Sequence, residues 1–523
     1  MSKQILKIYP GIKYPVTLSK IDNQYASLEE KVPPGGKIEI LDIRNTEGRR
    51  TYERTLVFLL DYIAKRKGVT IKIEHSFGDA LYGRFLKGSL NLKSAKKEIK
   101  DLIKADKMIE RLMLPKLEAL RFLKGREDDF NILKYLSRTY IPVYKLNNFA
   151  AYFAGPLLPK TGLLKIFNLI KIKDGFLFIL PTQKDPDTLG KIEKREQLLK
   201  TYREAEKEVE ILKVWDVAHL NEYVVSGRIS EIVKLAEAIH TEKFTNICED
   251  ILSKKDGIKM ILIAGPSSSG KTTFSKRLGI HLKLHGFFPL YISLDDYFLE
   301  RDKTPLYKDG SPFFDTIEAI DVKLFRKHIS QILKGEEVKA LTFNFKKGRK
   351  EWNGKTFKLE SNTILIVEGI HAFNPELLKD LEINTFRIYV SALTQLNINR
   401  VNRIPTRDVR LLRRIFRDTR FRGHPANETL RRWESVKEGE ERFIFPHQER
   451  ADIMFNSSLV YELAVLKGFL ETPLRCVDIT SPYYCEALRL LNFLDHFLDI
   501  REEEIPQTSI LREFIGGSTF YYQ

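Results

Sequence analysis

The sequence predicts a multidomain protein: a small α+β module in front, a second α+β region behind it, and a C-terminal α/β domain built on a parallel sheet. Three observations predict this class. At 523 residues the chain is too long for a single core. Residues 1–70 alternate short apolar runs with turns and then pass into a helical pattern. From residue 258 onward, continuous aliphatic runs alternate with helical stretches, as expected of strands buried on both faces of a doubly wound sheet.

Taken in order, apolar runs at 5–9 and 37–41 flank the turn residues Pro33, Pro34, Gly35 and Gly36, and an amphipathic helix is predicted over 51–67. A strand is predicted at 70–74, long basic helices over 94–125, and a hairpin over 167–180 split at Asp174 and Gly175. Charged helical stretches at 192–212 and 231–240 lead to a boundary near 240–257, where Lys254, Lys255, Asp256 and Gly257 break the pattern. Parallel strands are then predicted at 259–264, 288–294, 363–368 and 386–391. Ligands of such sheets sit beyond the carboxyl ends of the strands, where Asp295, Asp296 and Glu368 fall.

Composition narrows the class. With 43% hydrophobic and 30% charged residues, and no uninterrupted apolar stretch of about 18 residues, the chain reads as globular with no membrane association. Its start lacks the apolar segment of a signal peptide, so a cytoplasmic location is expected. Three cysteines without metal-ligand spacing, Cys248, Cys476 and Cys485, indicate neither a disulfide framework nor a zinc site and are expected in the core. A net charge of +17 fits an anionic partner, and nucleotide phosphates and nucleic acid both qualify. The lysines of 94–126 recur between apolar positions as on a solvated helix face, with an RNA-binding surface as the alternative.

The most specific signal is the run 265–273, which satisfies G-x-x-x-x-G-K-[ST] and follows an aliphatic run in front of an amphipathic helix at 271–285. Glycines let successive N–H groups turn toward the α/β-phosphates, Lys271 reaches the β/γ-phosphates, and the Thr272 hydroxyl can ligate Mg²⁺. Phosphoryl transfer is mostly positioning and charge neutralisation, and it needs three further parts. Glu368 closes a strand as a candidate metal carboxylate, and Asp295 is the candidate base, with Asp296 as its rival. Nine arginines fall between Arg400 and Arg422, and Arg410, Arg413, Arg414 and Arg417 recur at helical spacing, which suggests a lid over the phosphates. Among the histidines, His371 follows the Glu368 strand, His281 and His285 lie on the loop helix, and His75 stands alone before residue 200.

Successive motifs at 265–273, 292–298, 313–321, 367–373 and 410–423 resemble the uridine kinase and phosphoribulokinase family. That resemblance implies an ATP- and Mg²⁺-dependent kinase acting on the 5′-hydroxyl of uridine or cytidine. It places Asp295 as general base, Asp315 on the ribose hydroxyls, and Thr272 and Glu368 on the metal. ATP would be held by Gly265, Ser267, Ser268, Ser269, Gly270, Lys271, Thr272, Thr273 and Arg422, with Lys271, Arg414 and Arg417 acting on the transferred group. Tyr297, Phe343 and Arg349 would line the acceptor. One departure stands out, because the family reads the pyrimidine with a tyrosine and a histidine where 341–349 has Phe343 and no histidine. Phenylalanine stacks on a base but cannot hydrogen-bond its edge, so another small alcohol is the alternative acceptor.

Residues 1–66 resemble the β-grasp TGS module, and 67–240 resemble the second additional domain of threonyl-tRNA synthetase. The division implied is 1–66, 67–240 and a kinase domain at 241–523. Of a histidine pair four residues apart in the synthetase domain, only His75 is kept and Asp79 takes the second place, so the hydrolytic chemistry is expected to be absent. RNA, including tRNA, stays open as a partner of the front domains, and a regulatory ATPase coupled to RNA is the second alternative. A translation-type GTPase is not supported, since no Asn-Lys-x-Asp motif follows the loop.

Overall fold

The computed structural model describes residues 14–173, 175–192, 195–254, 257–307, 310, 312–344, 347–394 and 396–521. The apolar run at 5–9 lies outside them. Strands β1 (Val16–Ile21), β2 (Gln24–Ala26) and β3 (Ile38–Asp42) form an antiparallel sheet in the order β2-β1-β3. Asp22 and Asn23 make the first turn with φ of 45° and 59°, the paired left-handed conformation that matches the twist of a two-residue hairpin. Helix α1 (Thr46–Arg66) begins where the Asn45 side chain accepts the N–H groups of Glu47 and Gly48. Gly48 permits the helix to lie against β3, since a Cβ there would collide with the Asp42 carbonyl.

The second region carries β4 (Thr70–Phe77), β5 (Ala80–Lys87), helix α2 (Leu92–Lys104), β6 (Glu110–Pro115), the short helices α3 (Lys116–Phe122) and α4 (Glu127–Leu133), then β7 (Tyr140–Leu146), β8 (Phe149–Tyr152), β9 (Asn168–Ile172) and β10 (Gly175–Ile179). They form two antiparallel sheets, β4-β5-β10-β9 and β6-β7-β8. The basic helices predicted over 94–125 are thus interrupted by β6, an edge strand paired with β7, whose Ile141 and Val143 are buried. Tertiary pairing overrides the helical spacing of the lysines there.

Helices α5 (Glu196–Leu212), α6 (Val217–Val225) and α7 (Ile229–Ser253) lead into the last region. The boundary expected at 240/241 falls inside α7, whose Phe244, Ile247 and Ile251 pack on the parallel sheet. That sheet follows from β11 (Met260–Ala264), helix α8 (Lys271–Leu284), β12 (Phe288–Ser293), helix α9 (Val322–Leu333), the hairpin β13 (Val338–Asn344) and β14 (Arg349–Phe357), β15 (Thr363–Glu368), β16 (Thr385–Ser391), helices α10 (Thr406–Phe421) and α11 (Ala426–Gly439), and β17 (Ile453–Asn456). Helices α12 (Glu462–Arg475) and α13 (Tyr484–Leu494) follow.

All neighbours in the order β12-β15-β11-β16-β17 pair in parallel. Period-two alternation sorts their side chains: Met260, Leu262, Leu365 and Val367 fill one face, and Ile261, Ile263, Ile364 and Ile366 the other. With β11 central, the loop that follows it opens between the ends of β15 and β16, which puts the expected chemistry at the carboxyl edge.

The regions share core and charge. One apolar cluster joins Leu133 and Val143 of the second region to Leu412, Phe497 and Phe514 of the last. Arg400 reaches Asp61 of α1 at 2.6 Å, and Asp61 also accepts from Arg126 at 2.9 Å. No helix among the described residues is long and apolar enough to cross a membrane. Cys248 and Cys485 are buried as expected, whereas Cys476, the residue closing α12, is exposed.

Candidate active site

The 265–273 loop is gripped from outside through its carbonyls. Arg410 Nε donates to the Ser267 carbonyl at 2.9 Å, and Ser457 Oγ donates to that of Ser269 at 2.5 Å. The Ser267 N–H donates to Glu440 at 3.1 Å, and Glu440 is ion-paired in turn with Arg410. Positive φ at Ser268 (59°) and Gly270 (89°) turns the chain into the cradle. Gly265 has no room for a Cβ, which would meet the Val390 carbonyl of β16. The hydroxyls of Ser268 and Ser269 are buried without a hydrogen-bond partner, a set of donors suited to phosphate oxygens.

Lys271 opens α8 and is buried, with its Nζ 3.2 Å from the Pro266 carbonyl. Burial lowers its pKa, while Glu368, Asp295 and Glu513 pull it back up. Glu368 ends β15, and burial pushes its carboxyl up to about 7; Lys271 opposes that rise and Asp295 adds to it. These groups therefore share one electrostatic field. Asp295 is exposed in the turn after β12, whereas Asp296 faces inward, accepts the Phe343 N–H at 3.2 Å, and is pushed by burial to about 6. The two adjacent acids differ in placement: Asp296 braces the β13 hairpin and Asp295 is exposed.

The donors suit Mg²⁺. A hydroxyl at Thr272 and a carboxylate at Glu368 are hard oxygens, and a divalent cation would compensate the ionised, desolvated Glu368. No cluster of three or more His, Cys, Asp or Glu among the described residues is placed to hold a metal.

On the acceptor side, burial pushes Asp315 to about 6, and Arg414 opposes that rise. Tyr307 donates to Asp315 at 3.5 Å. A Cβ on Gly439 would collide with the Asp315 side chain, so α11 closes directly over this acid. Of the other sequence candidates, Tyr297 and Phe343 are buried and Arg349 is exposed. Tyr297 is buried, edge-on to Phe325, with its hydroxyl 3.1 Å from His328 Nδ1. Phe343 is buried against Phe298, and Arg349 is exposed and paired with Glu351 at 3.3 Å. The apolar bodies of Tyr297 and Phe343 join the core cluster beside β12. His371 is buried, and burial lowers its pKa to about 4.

The arginine helix α10 divides into two roles. Arg410 and Arg413 are at most 1% exposed and paired with Glu440 and Glu462, so they hold the loop instead of swinging over it. Arg414 is half-buried and donates to Ser267 Oγ at 3.0 Å. Burial, together with the nearby Arg422 and Arg414, lowers Arg417 to about 10. Asp418 gathers the three: Arg414, Arg417 and Arg422 lie 3.3, 3.6 and 3.5 Å from its carboxylate. The helix itself is anchored, since Asp408 accepts from Arg50 of α1 at 2.6 Å and from Arg489 of α13 at 2.8 Å.

Glu440, Glu462, Ser457 and Glu513 were not legible as site residues, because the role of each arises only from distant chain segments meeting; Asp418 lies within the 410–423 motif, but its grip on three arginines of that motif was not read from it. A cleft of about 1440 Å³ opens beside the acceptor side, lined from the front by Arg49 and Ser76 and from the last region by Tyr307, Phe313 and Arg407. His75 lies close by, stacked on Tyr202 with ring centroids 3.5 Å apart, and burial lowers its pKa to about 3.

A phosphate loop on the central strand of a parallel sheet, with acids on the flanking strands and an arginine cluster against the loop, is the arrangement of a P-loop kinase. Residues 260–463 match the phosphoribulokinase / uridine kinase family. The chain is 30% identical over 196 residues to a uridine kinase of Bacillus pumilus, which covers 37% of this chain and 84% of that protein. It is 27% identical over 196 residues to a uridine kinase of Ligilactobacillus salivarius, covering 37% of this chain and 83% of that one. The chain belongs to the phosphoribulokinase / uridine kinase family. It is also 27% identical over 166 residues to a threonine–tRNA ligase of Caldanaerobacter subterraneus, a match covering 30% of this chain and 26%, about a quarter, of the ligase.

Proposed function

We propose that the chain transfers the γ-phosphoryl group of ATP to the 5′-hydroxyl of a pyrimidine nucleoside, uridine or cytidine. The observation that carries the reading is the convergence of Lys271, Asp295 and Glu368, each acting on the charge of another, at the carboxyl edge beside the phosphate loop. Asp295 accepts the hydroxyl proton as the oxygen attacks the γ-phosphorus, and the bond to the β–γ bridging oxygen breaks to release ADP. Lys271, Arg414 and Arg417 neutralise the equatorial oxygens. Mg²⁺, which Thr272 and Glu368 would hold, would supply charge stabilisation to the transferring phosphoryl group. Asp315 accepts from the ribose hydroxyls.

A second reading, another small alcohol as acceptor, is favoured by the burial of Tyr297 and Phe343, which removes two expected contacts to a base. Purified protein with ATP, Mg²⁺ and single acceptors, followed by chromatography of the products, separates the two. Pyrimidine monophosphates support the first, and a phosphorylated sugar or other alcohol supports the second.

A further inference from the structure

The phosphate loop already carries an anion of its own chain. Glu513 Oε2 accepts the Thr273 N–H at 2.9 Å and the Thr273 hydroxyl at 2.8 Å. Thr273 is the third residue of α8, so its N–H is among the donors that a helix start turns toward a bound phosphate. Glu513 comes from the C-terminal segment 509–515, where Ile510, Leu511, Phe514 and Ile515 are at most 1% exposed. That segment is seated on the loop itself. A Cβ on Gly270 would lie 2.7 Å from Ile510 Cγ2, and the Arg413 guanidinium covers the Phe514 ring at 4.9 Å. Arg512 closes the segment by donating to the Glu502 and Ile505 carbonyls, each at 2.7 Å. The charge of Glu513 reaches both Lys271 and Arg417, so it stands among the cations assigned to the nucleotide.

One N–H cannot serve a carboxylate and a phosphate oxygen at once, and two anions at that distance repel. We propose that Glu513 is a built-in occupant of the phosphate cradle, a carboxylate plug that a nucleotide must displace before it seats fully. Gly516 and Gly517, with φ of 83° and 67°, sit just beyond the segment and provide a flexible point for its release. Local opening at Glu513, and not movement of the anchored α10, is then the step that admits the triphosphate.

This proposal rests on the nucleotide reading of the loop, and the test separates the two. ATP binding to the full-length protein, without acceptor, is measured by calorimetry for the wild type, E513A and the near-isosteric E513Q, each checked for folding by its melting temperature. Hydrogen exchange of 509–515 is followed in the wild type with and without saturating ATP. A seat closed about nine-tenths of the time weakens ATP roughly tenfold, so both variants should bind about tenfold tighter. ATP should also accelerate exchange at 511–515 in the wild type. Equal or weaker ATP binding by folded E513Q, or unchanged exchange on saturation, overturns the plug while leaving the nucleotide site standing. Absence of ATP binding by all three proteins overturns the nucleotide reading and the plug with it.

Discussion

Ser293 and Glu368 face each other in the parallel register of β12 and β15, and the Ser293 hydroxyl donates to Glu368 Oε1 across 3.0 Å. The contact aims a desolvated carboxyl at Lys271 and the phosphate loop, and it gives that carboxyl a measurable signature. Burial raises Glu368 to about 7 from an ordinary 4.5, so the folded protein favours its neutral form. The stability linked to that proton is complete below about pH 4.5 and is lost as pH rises through about 7. E368Q cannot ionise. Without Mg²⁺, its melting temperature should gain on the wild type by about 2 °C or more between pH 5 and 8. A constant gap across that range would show that Glu368 is not held in this way.

Asp295 and Asp296 are adjacent but differ in environment. D295N should lower kcat by about 10²–10⁴-fold with little change in ATP affinity, as expected for loss of a general base. D296N should act on stability, since it alters the brace on Phe343. Paired kinetic and thermal measurements on both variants check this, and full turnover by D295N would remove it as the base.

Within α10, neighbouring arginines should fail in different ways. R413A leaves the buried Glu462 without its partner and should cost about 3–5 kcal/mol in stability. R414A opens a half-buried contact to Ser267 and should fold normally while losing roughly 10²-fold in kcat. Denaturant unfolding and steady-state kinetics distinguish the two, and equal stability losses would contradict the division of roles.

Asp408 ties α10 to the front of the chain. Burial alone would raise its pKa, but Arg489 and Arg50 hold it down at about 2. A depressed pKa contributes stability that is present above an ordinary carboxyl pKa of about 4 and is lost as pH falls through about 2. The stability deficit of D408N should therefore be largest at neutral pH and shrink on acidification, as read by melting temperature from pH 7 to 3. A deficit independent of pH would point to packing instead of charge.

The last region was largely legible because its signals are local. The aliphatic runs set β11, β12, β15 and β16 within a residue or so, and the loop pattern set the start of α8 at Lys271. β17 escaped notice because it is only four residues long and is defined by pairing with β16. In the second region the lysine spacing looked helical, but β6 exists through its partner β7. The same difference separates the site residues. Lys271 and Glu368 belong to motifs, whereas Glu440 and Glu513 gain their roles from contacts over long sequence separations. The arginine run was legible as chemistry, but not its partition: only burial shows that Arg410 and Arg413 grip the loop while Arg414 and Arg417 stay near its contents.

The proposed reaction is phosphoryl transfer from ATP to a nucleoside 5′-hydroxyl. The direct measurement is the product of a reaction with isotopically labelled γ-phosphate ATP, Mg²⁺ and uridine or cytidine, resolved by mass spectrometry. Transfer to the nucleoside predicts label in the nucleoside 5′-monophosphate, matched mole for mole by ADP and strongly reduced in D295N. Label appearing only as inorganic phosphate, at a rate unaffected by either nucleoside, would contradict it.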